Sequence, residues 1–284
     1  MKITALLVLA LAGSALGQTL DGSRDGLYTS LFNQNVQTGF GDNFSELDNV
    51  SWSSDGTNLY LFVGGNIEAN GNRMAFFFGT SNPGQSTLSG IGGGSFNNMQ
   101  VTFDAGFGGA SRWLVFNHAN VNQLYGNAGS YNGATWSEEY IGNSTSGALG
   151  FTPNGSSGIQ AILNNSNTAG VTGGSGVANT GDAAAVGTGL EIMIPLSWLG
   201  YSGGPITVAG FINGGGNDYA SNQFIGGFAG GQGNLGGDGN GNFTGVVSFD
   251  LNDFDGDQFV TIVPAPGVAG LLGLGALAAG RRRR

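Results

Sequence analysis

Apolar residues in this chain fall in short runs closed by glycine, asparagine and serine, the pattern of strands joined by turns. Ser54-Asp55-Gly56-Thr57-Asn58 is a turn cluster, and Leu59–Val63 after it is an apolar strand stopped by Gly64-Gly65-Asn66. Met74–Phe78, Gln100–Phe103 and Arg112–Phe116 repeat the arrangement. Leu190–Ile194 alternates, with Leu190, Ile192 and Ile194 on one face and Glu191 and Met193 on the other, as side chains do along a pleated strand. Ile206–Ile212, Gly245–Leu251 and Gln258–Ile262 complete the set. Between the two ends of the chain no stretch keeps a helical apolar period over three turns. Pro195–Leu199 can make at most one, because proline suits a first helical position and Gly200 ends it. Many short strands with turns between them predict an all-β fold: a single antiparallel β-sandwich, jelly-roll or immunoglobulin-like, or else a barrel.

Two stretches carry a weaker pattern. Residues 142–189 are dominated by Gly, Ser, Asn and Thr, with apolar islands such as Ile159–Leu163, and read as a long decorated insertion or as weak edge strands. Residues 226–241 read as a mobile loop by composition. The chain shows neither a clean internal repeat nor a linker that would divide two domains.

The two ends read as addresses. Met1-Lys2 and the apolar Ile3–Ala12 are followed by Ala15-Leu16-Gly17, small residues at the positions a signal peptidase reads. This predicts a signal peptide over 1–17 and a mature start at Gln18. At the other end Val263-Pro264-Ala265-Pro266 precede the apolar Gly267–Gly280 and then Arg281-Arg282-Arg283-Arg284. As a helix, Gly267–Gly280 spans ~21 Å at about 1.5 Å per residue, short of a hydrocarbon core about 30 Å thick. A polybasic cluster directly after an apolar span stays on the cytoplasmic side, so the remainder, an ectodomain over 18–262, lies outside.

Charge sharpens the picture. Of eight basic residues only Arg24, Arg73 and Arg112 fall in 18–262, against all 18 acidic residues, so the ectodomain carries 3 − 18 = −15. Such a surface excludes nucleic acid, whose binding needs clustered Lys and Arg. The chain has no cysteine, so stability rests on core burial, and about 245 residues suffice for one sizeable core. Its 57 glycines suggest low complexity, but 19 Phe, seven Tyr and four Trp mark a folded chain, since disordered segments are poor in aromatics.

The order Pro264-Ala265-Pro266, short apolar helix, Arg281–Arg284 resembles the PEP-CTERM sorting signal of bacterial surface proteins, with Ala265 where that motif usually carries glutamate. The resemblance implies two partners, signal peptidase and an exosortase-type transpeptidase that cuts near Val263–Pro266. It also implies transient membrane anchoring, followed by display on the cell surface or in the extracellular matrix. Ser45-Glu46-Leu47-Asp48, Leu59–Glu68, Thr102–Phe107 and Ser221-Asn222-Gln223 are similar to blocks in ectodomains bearing such tails. Glu191–Gly200 resembles a stretch of carbohydrate-binding module family nine and its DOMON-like relatives, which implies a β-sandwich and extracellular polysaccharide as a partner.

Candidate chemistry is sparse. His118 is the only histidine and reads as a solvent-facing residue at a strand end. Glycoside hydrolysis needs two carboxylates about 5 to 10 Å apart, whereas Glu138 and Glu139 are adjacent on a strand and point to opposite faces. Asp253, Asp255 and Asp257 alternate near Asp250, an oxygen-rich spacing that can hold Ca²⁺, without the glycine and final glutamate of an EF-hand loop. Trp136 reads as the most exposed ring and, with Trp52, as a candidate sugar platform. The expectation is an exported, non-catalytic surface protein with a structural or adhesive role and no cofactor, Ca²⁺ aside. The alternatives are a surface-retained carbohydrate-binding module and a Ca²⁺-dependent adhesin.

Overall fold

The apolar runs become strands, and their continuity reflects burial on both faces. A computed structural model describes residues 18–91, 95–119, 123–144, 150–167, 183–229 and 232–264. Ala15, Gly17, Ala265, Pro266 and Arg281–Arg284, with the signal and tail readings that rest on them, lie outside the described residues.

The first strands in chain order are β1 (Thr29–Asn33), β2 (Glu46–Ser54), β3 (Asn58–Asn66), β4 (Asn70–Gly79) and β5 (Gln100–Thr102). One helical turn, α1 (Phe40–Asn43), lies between β1 and β2. Then come β6 (Arg112–Ala119), β7 (Leu124–Tyr131), β8 (Trp136–Ser144), β9 (Phe151–Pro153) and β10 (Gln160–Leu163). The last are β11 (Gly189–Pro195), β12 (Ile206–Asn213), β13 (Ala220–Phe224), β14 (Ser248–Asp250) and β15 (Val260–Ile262). Among the described residues no helix is long and apolar enough to cross a membrane.

The strands build a five-stranded antiparallel sheet, β1-β2-β3-β11-β10, and an eight-stranded one, β13-β12-β4-β6-β7-β8-β9 with β15 also on β12. The two sheets face each other in a sandwich-like arrangement. They converge at both margins, through a bridge between Gly150 and Ile162 and where β15 comes beside β1. Leu47, Val50, Leu61 and Val63 from one sheet meet Phe76, Phe78, Leu114 and Phe116 from the other in the first core. Residues 142–189 supply the end of β8 and the edge strands β9 and β10, so the described part of that stretch follows the edge-strand reading.

The outer face of the eight-stranded sheet is also buried. Met74, Phe76 and Phe78 of β4 enter the first core, while Ala75 and Phe77 enter a second. Strand β6 divides in the same way, with Trp113 and Val115 pointing outward into that second core. A covering layer closes it with Phe96, Val101, Phe103, Phe228 and Leu235, and contains the parallel pair β5-β14. Two expectations are corrected here. The fold has a third layer beyond a two-sheet sandwich, and the described part of 226–241 is a packed turn region, because Phe228 and Leu235 anchor it in the second core.

Polar pins fasten segments onto the five-stranded sheet. Glu191 is fully buried and accepts the Asp21 N–H at 2.8 Å, the Gly22 N–H at 2.9 Å and the Tyr28 hydroxyl at 2.6 Å. Asn49 donates through Nδ2 to Ala183 O at 2.7 Å and Val186 O at 3.0 Å. A buried carboxylate or amide needs such partners to offset its loss of water.

Candidate functional site

At one end of the sandwich the segment between β1 and β2 meets the β12–β13 turn and residues 232–243. Asn222, in β13, ties these pieces together: its Nδ2 donates to Gln37 O and to Gln232 O, each at 2.6 Å. Its own N–H goes to Asn234 Oδ1 at 3.1 Å, which also receives the Thr38 hydroxyl at 3.1 Å. The result is a cleft of about 370 Å³ lined by Gln37, Thr38, Asn222, Gln232 and Asn234 among others.

A second cleft of about 370 Å³ adjoins it, with Gly39 and Asn234 common to both walls. Its walls are of a different kind. Phe40, buried, lies 6.1 Å from the Tyr219 ring, and Tyr219 lies 4.3 Å from Phe243 with 31° between the planes. Phe243 is 74 % exposed. The rings thus rise from the core into solvent beside Asn70, Asn72, Glu68 and Asp218. Glu68 Oε2 accepts from Asn70 Nδ2 at 2.7 Å and from Asn72 Nδ2 at 3.3 Å, which orients both amides.

Local sequence explains how Phe243 is presented. Asp238 accepts the N–H groups of Asn240 and Asn242 through Oδ1, at 2.9 and 3.2 Å, and the Asn242 side-chain amide through Oδ2 at 2.8 Å. Asp turns of this kind close Asp-Gly-Asn sequences. The Asn242 amide also holds the Asp238 carboxyl below the usual carboxylate range. Thr244 Oγ1 donates to Val246 O at 2.8 Å on the far side of the ring.

Gln223, next to Asn222 in β13, reaches a buried acidic pair. Glu46 and Asp48 are both fully buried. Glu46 Oε2 accepts from Gln223 Nε2 at 2.7 Å, and Asp48 Oδ2 from Asn167 Nδ2 at 3.3 Å, while Glu46 Oε1 and Asp48 Oδ1 have no hydrogen-bond partner among the described residues. Burial, with Asp48 nearby, pushes the Glu46 carboxyl up to about 9; burial pushes Asp48 up to about 7.

The residues singled out from sequence lie elsewhere. Trp136 is half-buried rather than an open ring: it packs on Tyr131 and Trp113 at 5.1 and 6.5 Å and donates through Nε1 to Gln85 Oε1 at 2.8 Å. Trp52 is half-buried against the first core. The two therefore serve different cores and share no platform. Asp253, Asp255 and Asp257 are exposed, and among the described residues no three acidic or histidine side chains gather as a metal site. Val263 is exposed, Pro264 O accepts the Tyr201 hydroxyl at 3.4 Å, and Gln18 donates to Asp25 at 2.7 Å. His118 faces inward, a correction: it is buried with Nδ1 2.8 Å from Ile67 O, and Nε2 has no partner among the described residues. Glu138 meets Asn127 and Ser95, whereas Glu139 meets Ser156.

Sequence reasoning missed Phe40, Tyr219 and Phe243, which are far apart in the chain. The Asp238-Gly239-Asn240-Gly241-Asn242 turn immediately before a lone Phe243 was the available signal. No protein-family model, curated protein or solved structure matches this chain.

Proposed function

We propose that this chain is an exported, non-catalytic surface protein whose ectodomain adheres to polysaccharide through the cleft beneath Phe243. The observation that carries the reading is the exposed Phe243 ring held against Tyr219 beside Asn70, Asn72 and Asn234. An apolar face flanked by a few convergent polar groups is the usual make-up of a small-molecule site, and about 300–1,000 Å³ is the usual size. Sugars present both surfaces: an apolar ring face that lies on an aromatic, and hydroxyls that pair with amides. The ring is too exposed to contribute much to the core, which leaves it free for a ligand.

Residues 18–262 then form one domain, the two facing sheets with their covering layer, on a sorting tail. Strand β15 ends at Ile262, buried in the first core, and Tyr201 holds Pro264 O just beyond it. The last described strand therefore ends immediately before the Val263–Pro266 segment, which supports processing there by an exosortase-type transpeptidase.

Two measurements test the reading. Sedimentation of the purified chain with insoluble polysaccharides should show binding that Phe243→Ala and Tyr219→Ala each weaken at least about tenfold, the loss of roughly one stacked ring. Intact mass of the native surface form should lack Arg281–Arg284. Binding indifferent to both substitutions defeats the cleft, and a surface form that retains Arg284 defeats the sorting.

A further inference from the structure

We infer that the groove takes an uncharged glycan at least two sugar residues long and turns away acidic polysaccharides. The inference rests on the glycan reading of the cleft and adds to it both the class and the length of the ligand.

Length follows from the shape. The two clefts adjoin at Gly39 and Asn234, so a ligand that crosses these residues meets two unlike halves. The Phe243 half offers a ring face. The other half offers no aromatic; beside Val36 it carries amides and a hydroxyl from Gln37, Thr38, Asn222 and Gln232. Asn222 lines this half as well, and among the described residues its buried Oδ1 has no hydrogen-bond partner. One sugar stacked on Phe243 leaves that half unused, and the next residue of a chain reaches it.

Charge follows from the lining. Glu68 and Asp218 stand in the aromatic half, and among the described residues no basic side chain lines either half. Each of the three ectodomain arginines is engaged elsewhere. Arg24 donates to Ala184 O, Arg73 to Ser95 O and Arg112 to Trp198 O, each at 2.8 Å. A uronate or sulfate group entering the groove would meet two carboxylates and no counter-charge, in a domain of net charge 3 − 18 = −15. Like-charge placement of this kind is a means of rejecting the wrong partner. The same balance argues against a nucleic acid on the ring.

The test is a titration of the purified full chain with neutral gluco-, manno- and galacto-oligosaccharides of one to six residues. Oligogalacturonates and alginate oligomers of the same lengths form the second arm. For at least one neutral series affinity should rise at least about tenfold between one and three residues and then level off, as the second half of the groove fills. Uronates should bind at least about tenfold more weakly, the gap narrowing at high salt. Asp218→Asn, which leaves the Glu68 bonds to Asn70 and Asn72 in place, should strengthen uronate binding. Uronates binding as tightly as neutral oligomers, or a monosaccharide binding as tightly as a hexamer, overturns the inference and leaves the cleft reading intact. Absence of binding in both arms, or binding unaffected by Phe243→Ala, overturns the two together.

Discussion

Gln223 donates through Nε2 to Glu46 Oε2 at 2.7 Å and accepts the Leu47 N–H through Oε1 at 2.6 Å. One amide thus fastens β13 to the first turn of β2, and a weaker bond from the same Nε2 reaches Val36 O at 3.2 Å, in the wall of the groove. The next residue back, Asn222, clamps the loops above it. The floor of the groove is therefore tied to a buried carboxyl.

That carboxyl makes stability depend on pH. Glu46 and Asp48 titrate at about 9 and about 7 in the folded protein, against about 4.3 and 3.9 in an unfolded chain. The folded state holds the protons more tightly, so this contribution is complete at the acidic end and is lost as pH rises through about 7 and then about 9. The melting temperature should fall between pH 5 and pH 9. Glu46→Gln, which keeps an acceptor for Gln223, should flatten the alkaline part of the curve. A parent protein whose melt does not move over this range contradicts the assignment.

Glu191 should hold the N-terminal segment in place. Glu191→Ala removes the acceptor for two backbone N–H groups and the Tyr28 hydroxyl, leaving the buried Gly22 donor unsatisfied at about 1–3 kcal/mol and the two part-buried donors at less. Trypsin should then cut after Arg24 much faster than in the parent. Tyr28→Phe removes one bond and should cost about 1 kcal/mol. Equal cutting rates in parent and Glu191→Ala would show that the segment is held by other means.

Gly129 on β7 leaves room for a tryptophan. A Cβ at that position would lie 2.1 Å from Trp113 Cε2, and Trp113 is fully buried between Phe96 and Trp136. Gly129→Ala should cost roughly 1–3 kcal/mol by overpacking, read as a lower denaturant midpoint. No loss of stability would mean that the indole shifts freely.

Phe243→Ala should behave in the opposite way. The ring is 74 % exposed, and surface substitutions away from caps and cores stay within about 0.5 kcal/mol. Its melt should match the parent even where glycan binding is lost. A large destabilisation would assign Phe243 to packing.

The tail reading has its own expected outcome. Replacing Arg281–Arg284 by serine removes four charges, each unfavourable by about 2.5 to 3.5 kcal/mol at mid-membrane depth. Retention should fail, and unprocessed chain should appear outside the cell. Pro264→Ala with Pro266→Ala should leave full-length chain in the membrane. Normal processing of either variant would contradict the proposal.

The sequence by itself determined that Met74–Phe78, Leu190–Ile194 and Ile206–Ile212 are strands, since compact β-rich apolar runs between glycine turns leave little alternative. It also determined the acidic, arginine-poor surface, because charge is a count and needs no fold. Strands β2 and β7 were not legible. Glu46, Asp48, Asn49 and Ser51 are buried polar residues that break the apolar pattern of β2, and Gly126 and Gly129 of β7 exist to admit Ile141 and Trp113. Only the tertiary structure decided that Phe76 and Phe77, adjacent in sequence, enter separate cores, because that depends on a covering layer from distant segments. It alone brought Phe40, Tyr219 and Phe243 into one ladder. Ring stacking is a through-space contact, and a local pattern carries no information about which loops close over the end of a sheet.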